Sequence, residues 1–177
     1  MLHFYKAEIS DSQAIAQLVN SAYRGENSRV GWTTEVDLLD GLRTTTQEVA
    51  SIVNRDDAFI LMGVLREEIV ATICCERQVL AGKSTVHFGM IAVKPGLQNR
   101  GYGKSLIQAA EAVTSREWKV AGFHMAVISL RHELIAFYER LGYVRTGEFS
   151  DFPQKPELWQ PKVEGLNLQY LAKLIGK

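Results

Sequence analysis

An α/β (α+β) fold with a mixed, mostly antiparallel central sheet, one β-α-β crossover and helices on both faces is expected from three features of the chain. β-Prone runs at 59–65 and 69–75 are separated only by Arg66-Glu67-Glu68, the spacing of a hairpin. A third run at 86–93 and a fourth at 123–128 flank a segment whose Leu106, Ala109, Ala110 and Val113 share one helical face. A helix between two strands is the connection that parallel neighbours need. Finally, helix signatures lie both before the hairpin and after the crossover, so that each sheet face has a helix to cover it.

The elements follow in order. Residues 2–7 read as a short strand. Ser10-Asp11-Ser12-Gln13 has the form of a capping box, and Ile15, Leu18, Val19 and Ala22 follow on one helical face. A polar loop is expected at 24–32. Thr45-Thr46-Gln47-Glu48 is a second box, opening a helix that runs to about Asn54. Ala81-Gly82-Lys83 supplies a turn, and Pro95-Gly96 ends the third strand. The crossover helix runs to about Trp118. Leu134, Tyr138 and Leu141 line a last helix, which stops at Gly142. Strands at 143–146 and 166–174 close the pattern, with an irregular segment at 151–165 holding three of the four prolines. Repeats, low-complexity stretches and linkers are absent, so the expected organisation is one domain over residues 1–177.

Composition narrows the function. Twenty basic residues balance twenty acidic ones, for a formal net charge of zero, which argues against broad binding of nucleic acid or an anionic membrane. No apolar run approaches a membrane span, and the first residues lack the pattern of a secretory signal. The two cysteines, Cys74 and Cys75, are adjacent and on a strand face opposite ways, so neither a bridge nor a metal site is expected. A reduced, cytoplasmic setting is the default, and a homodimer is left open.

The informative stretch is Ile91-Ala92-Val93-Lys94-Pro95-Gly96-Leu97-Gln98-Asn99-Arg100-Gly101-Tyr102-Gly103-Lys104-Ser105. A strand enters a loop with two glycines one residue apart, and the loop opens a helix. Such a loop lets backbone N–H groups approach an anion, and the helix N-terminus adds about half a positive charge. A plain glycine-capped turn is the bland alternative. A Walker A loop would need glycine at Gln98, and a dinucleotide fingerprint would need it at Leu106; both fail.

Gln98, Gly101 and Gly103 resemble the pyrophosphate loop Q/R-x-x-G-x-G/A of the GNAT acetyltransferases, and the loop follows an apolar-Ala-Val-x-Pro strand end as it does there. Leu134-Ile135-Ala136-Phe137-Tyr138-Glu139-Arg140-Leu141-Gly142-Tyr143 is similar to that family's A-x-x-F-Y-E-K/R-L-G-F/Y segment, about 35 residues further on. The resemblance is clear over 59–147, and it implies a GNAT-like fold and acetyl-coenzyme A as cosubstrate. It implies cofactor contacts from Ile91, Ala92, Val93, Gln98, Asn99, Arg100, Gly101, Tyr102, Gly103, Lys104 and Ser105. The backbone N–H groups of Ile91 and Val93 would polarise the thioester. The family often has Asn seven residues before the tyrosine, touching the pantetheine arm; Arg131 takes that place here. Tyr138 maps to the general acid, although on its helix alone it reads as core.

His87 sits where some members carry a catalytic glutamate, and an imidazole has a suitable pKa for a base. A solvent-facing strand histidine is the competing reading; His124 and His132 have weaker claims. The resemblance lines the acceptor groove with 23–39 and 151–165. Trp32 and Glu35, an aromatic beside a carboxylate, would suit an ammonium group; a helix start at 33–35 is the alternative. Phe152 and Trp159 would narrow the groove. The expected acceptor is thus a small-molecule primary amine. A protein lysine or N-terminus, or a non-catalytic acyl-coenzyme A-binding module, remain as rivals.

Overall fold

The computed structural model describes residues 1–176. In chain order its elements are strand β1 (His3–Lys6), helix α1 (Ser12–Tyr23), strand β2 (Leu39–Gly41), helix α2 (Thr46–Val53), strands β3 (Ala58–Leu65), β4 (Glu68–Leu80) and β5 (Lys83–Val93), helix α3 (Tyr102–Trp118), strand β6 (Gly122–Ile128), helix α4 (His132–Arg140), and strands β7 (Val144–Asp151), β8 (Trp159–Pro161) and β9 (Asn167–Leu174). Seven of the strands form one sheet in the order β1-β3-β4-β5-β6-β9-β7. Only the β5–β6 pair is parallel, and α3 supplies its crossover. The mixed, mostly antiparallel fold expected from the sequence is the fold observed.

Turn chemistry fixes the hairpins. Arg66 and Glu67 both take positive φ (49° and 66°), as do Ala81 and Gly82 (49° and 75°). Two-residue loops of that kind twist in the sense of the flanking strands. Pleat alternation then sends side chains to two cores. Cys75, Phe88 and Ile73 pack under α3 and α4, whereas Cys74, Met90 and Ala92 pack under α1 and α2. The adjacent cysteines therefore face opposite layers, both as free thiols.

Three local expectations need correction. Ser10 caps nothing: the chain enters α1 through a short 3-10 turn at Ile9–Asp11, and the Asp11 carboxylate accepts from the Glu8 N–H at 2.8 Å. The box lies two residues earlier because Asp11, not Ser12 or Gln13, is the side chain in reach. The second box fared better, with Thr45 Oγ1 accepting from the Glu48 N–H at 3.1 Å. The 24–32 loop is not uniformly polar surface, since Arg24 is 5% exposed. The 151–165 segment contains β8, which pairs antiparallel with β2 in a small second sheet. Three-residue strands, one ending in proline, leave no periodic signal to read.

One irregularity positions the site. β5 bulges between the partners of Thr72 and Cys74, with Met90 at φ 46°. Its parallel pairing with β6 spans only Val86↔Phe123 and His87↔His124. Beyond those residues the two strands part, and a bulge is the usual device for such a bend.

Candidate active site

The gap between β5 and β6 exposes backbone. The Lys94 N–H donates to the Val70 carbonyl at 2.8 Å, so Val70 and Lys94 form a hydrogen-bonded pair. By the alternation of an antiparallel ladder, Val93 and Ile91 turn their N–H and C=O groups away from β4 and into the gap. Both carbonyls are engaged there: Tyr23 Oη donates to Ile91, and Gln98 Nε2 donates to Val93 at 3.0 Å. The two N–H groups face the opening.

A cleft of about 430 Å³ begins at this point, bounded by Ile91 and Val93, the loop at 98–104 and one face of α4. Gly101, at φ 83°, takes the left-handed conformation that side-chain-bearing residues avoid, and it opens α3 without any side-chain cap. The first N–H groups of α3 therefore have no intrahelical acceptor and no capping side chain, which is the arrangement that receives an anion. At Gly103 a Cβ would make ordinary contacts, 3.4 Å from Phe137 Cζ and 3.8 Å from Val93 Cγ2, so only a side chain longer than alanine's would enter the cleft that these residues line. Lys104 and Arg140 add positive charge to the same rim. A cradle that a side chain would fill, lined by N–H groups and cations, fits the pyrophosphate and pantetheine of coenzyme A.

Not every residue assigned to the cofactor faces this cleft. Ala92 is 1% exposed in the α1–α2 core, leaving only its backbone. Arg100 and Tyr102 line a different hollow, toward β1 and the β3–β4 turn. Ser105 is exposed, one helical turn along α3 from Gly101. The Gln98 side chain is a clamp. Its Oε1 accepts from the Trp32 N–H at 2.8 Å, and its Nε2 donates to Thr33 Oγ1 at 2.8 Å as well as to Val93. Arg131 turns away from the cleft, donating to Glu35 Oε2 at 3.0 Å and to the Thr33 carbonyl at 2.7 Å. A guanidinium is long enough to find a carboxylate that an asparagine amide would not reach.

A second cavity, of about 330 Å³, lies on the α1–α2 side of the gap. The two cavities share Ile91, Leu134 and Tyr138. Tyr138 is 4% exposed and lines both cavities, and its hydroxyl makes no hydrogen bond among the described residues. Its neighbours differ. Tyr23 is committed to the Ile91 carbonyl, and Tyr143 donates to Glu111 Oε1 at 2.8 Å. Burial pushes the Tyr138 phenol well above the usual tyrosine range, so it carries its proton at neutral pH. Burial likewise pushes Tyr23 to about 12.

Glu35 lies in the wall of this second cavity with both oxygens engaged. Arg24 Nη2 donates to Oε1 at 3.2 Å, opposite the bond from Arg131, and all three side chains are at most 10% exposed. Trp32 is elsewhere, in the first cleft, edge-on to Phe137 at 5.7 Å between centroids. The Trp32–Glu35 pair expected to greet an ammonium is therefore not assembled. Nor does a helix start there; the Glu35 carbonyl closes a turn by accepting from Leu38 and Leu39.

His87 does face the second cavity, with its Nδ1 3.2 Å from Nδ1 of His124. Burial lowers the His87 pKa, and burial together with His87 lowers His124 to about 4. Both rings are neutral at pH 7, and the ring that donates its Nδ1–H across this contact keeps a free Nε2 lone pair to accept a proton. His132 is exposed at the start of α4. Sequence reasoning missed Arg24, Arg43 and Lys155, which also line the cavity. Nothing in the local pattern marks them, because they come from a helix end, a loop and the proline-rich segment.

Residues 55–145 match the family described as Acetyltransferase (GNAT) domain. Solved structures share the fold across nearly the whole chain. A probable acetyltransferase from Staphylococcus epidermidis, 15% identical, superposes with a TM-score of 0.73 over 99% of this chain and 100% of its own. Arabidopsis thaliana NAA60 in complex with acetyl-CoA, 14% identical, reaches 0.73 over 99% of both chains. The ribosomal-protein-S18-alanine N-acetyltransferase of Escherichia coli, 16% identical, reaches 0.65 over 100% of this chain and 96% of its own. No curated protein sequence matches.

Proposed function

This chain belongs to the GNAT acetyltransferase family, and from that membership we propose that it transfers an acetyl group from acetyl-coenzyme A to the primary amine of a small molecule. One observation carries the mechanism: a protonated, unpartnered Tyr138 hydroxyl stands where the two cavities meet.

Acetyl-coenzyme A supplies the acetyl group as a thioester. Transfer forms an N–C bond and breaks the C–S bond, so the amine must shed its protons and the sulfur must gain one. In this reading the N–H groups of Ile91 and Val93 hold the acyl oxygen, as donors fixed by the strand before the substrate arrives. The loop at 98–104 holds the pyrophosphate on the α3 N-terminus. Tyr138, protonated at neutral pH, donates a hydrogen bond to the departing sulfur and steadies the charge that develops there; because a thiol of pKa ~8.5 is a stronger acid than the phenol, Tyr138 gives up its proton only as it is itself reprotonated from water. His87, neutral and facing the acceptor cavity, takes a proton from the ammonium directly or through water.

The small acceptor is supported by the roof of the second cavity. β2 and β8 pair above it, and the segment leading into β8 brings Phe152 and Trp159 edge-on at 5.9 Å. Trp159 Nε1 donates to the Pro153 carbonyl at 3.0 Å, and Lys162 Nζ donates to the Val36 carbonyl at 2.9 Å. These bonds fasten down the segment that an extended peptide would have to displace. The Escherichia coli enzyme named above acts on a ribosomal protein, but likeness at 16% identity carries fold rather than acceptor. A broad amine panel with acetyl-coenzyme A, read by release of the free thiol, tests the proposal. Thiol release with small amines supports it, and acetylation only of peptides or proteins overturns it.

A further inference from the structure

Charge is unevenly placed in this protein. The chain as a whole is formally neutral, yet the acceptor cavity is lined by Arg24, Arg43, Arg131 and Lys155 against Glu35 and Glu48, an excess of two positive charges. Glu35 is divided between Arg24 and Arg131, so that buried trio alone retains one net positive charge. Arg24 Nε–H has no acceptor in the described structure, although the side chain is 3% exposed. Burying one carboxylate between two guanidiniums is a costly arrangement unless another anion arrives to share them.

The remaining two cations are uncommitted. Arg43 and Lys155 are half-buried and form no ion pair among the described residues. Lys155 instead rests over Trp159, with Nζ 5.5 Å from the ring centroid, and Arg24 lies over the same indole at 5.6 Å. An indole that contacts two cations neutralises neither. Cations kept in a semi-enclosed, partly apolar cavity exert a field that water screens weakly, and this repels a polyamine while drawing in an anion.

Resting on the acetyltransferase reading above, we infer that the acceptor is an amine that also carries a carboxylate, as an amino acid does. The amine end must reach Tyr138 and Ile91, which leaves the carboxylate for the cationic wall formed by Arg43, Lys155 and the outer faces of Arg24 and Arg131. Glu48, also unpaired and in the same lining, discourages a second anionic group close to α2.

The test compares each common amino acid with its own α-carboxamide, which presents the same side chain and amine without the negative charge. The expected preference in kcat/KM for the acid over the amide is about 10- to 100-fold, the range that one charge-assisted hydrogen bond supplies. Arg43→Gln and Lys155→Gln should collapse that ratio toward one. Both residues are half-exposed, so an unchanged melting temperature can confirm that the variants fold. Amides or polyamines turned over as well as the acids would overturn the inference and leave the acetyltransferase standing. Variants that raise the KM for acetyl-coenzyme A alone would also overturn it, by assigning these cations to the cofactor. If no member of either set were acetylated while acetyl-coenzyme A still bound by calorimetric titration, the small-molecule reading itself would fall.

Discussion

The cleft proposed for the cofactor and the cavity proposed for the acceptor meet at Tyr138 but are assembled in different ways. The cleft draws nearly all its lining from two continuous stretches, 91–104 and 133–140, and its chemistry is mostly backbone N–H and small residues. The acceptor cavity gathers side chains from α1, α2, β5, β6, α4 and the 152–159 segment, and its chemistry is charge. A ligand common to many related enzymes is served by a local motif, whereas a ligand particular to one enzyme is served by parts that only tertiary structure brings together.

The sharpest way to break this comparison is at the junction. Tyr138→Phe keeps the ring and removes a hydroxyl that bonds to no group among the described residues, so packing should survive. General acid catalysis contributes ~10²–10⁴-fold, and kcat should fall by that order with acetyl-coenzyme A affinity unchanged. Tyr143→Phe is the control: losing its bond to Glu111 should cost about 1 kcal/mol of stability and leave kcat near the parent's. If the two variants behaved alike, Tyr138 would be a core residue and the sulfur would take its proton from water.

Glu35→Gln probes the acceptor side. Removing one partner of a buried ion pair leaves charge uncompensated, at a cost of about 3–5 kcal/mol, and here two guanidiniums lose the one carboxylate they pair with among the described residues. Chemical denaturation should show a loss of that size. A stable variant whose acceptor KM alone rises would instead restore Glu35 as a direct contact to the amine.

This difference also explains what could be read from the sequence. The hairpins, the crossover and the glycine loop were legible because each is a local event: Gly101 supplies a backbone angle, and Arg66-Glu67 makes its own turn. Tyr138 was legible only as part of a motif, since its helix would bury a tyrosine there in any case. Gln98 was legible as a letter of the motif, but the partners of its side chain were not, because Trp32 and Thr33 lie more than sixty residues earlier in the chain. The Arg24–Glu35–Arg131 trio spans the chain still more widely, and its first member sits in what reads as an ordinary polar loop. The β2–β8 sheet was invisible for a different reason: its three-residue strands are too short for the two-residue alternation of a strand to repeat.

On the cofactor side, Gly101→Val and Gly103→Val should act by distinct routes. Valine at Gly101 opposes a left-handed backbone, and valine at Gly103 pushes branched methyls toward Phe137 and into the cleft. Each should weaken acetyl-coenzyme A binding by about 10- to 100-fold, the worth of one charge-assisted hydrogen bond. Calorimetric titration of folded variants would show it. Because the cleft is a local structure, the carboxylate preference of the acceptor cavity should not change; a shift in that preference would mean the two cavities are coupled more tightly than their linings suggest.

The smallest effect at neutral pH is expected from His87→Ala, because some of the amine is already neutral there and needs no base. Its signature is the pH dependence. Burial first, and then the nearby Arg43 charge, lower the His87 pKa below 6.5, while Glu76 opposes them. His87 thus stays an acceptor as the pH falls below 6.5, where free amine becomes scarce, and the loss of rate in His87→Ala should grow steadily toward acid. Arg43→Gln removes one lowering influence, so it should raise the His87 pKa and move the parent's acid limb to higher pH. The usable range has a floor. A histidine depressed in the folded state binds fewer protons than in the unfolded chain, so its stabilising contribution is present above pH 6.5 and is lost as the pH falls through about 4 for His124. Initial rates between those limits, on protein shown by circular dichroism to be folded at each pH, decide the matter. A His87→Ala profile parallel to the parent's across that window would leave the His87–His124 contact as packing between two strands and send the amine's proton to water.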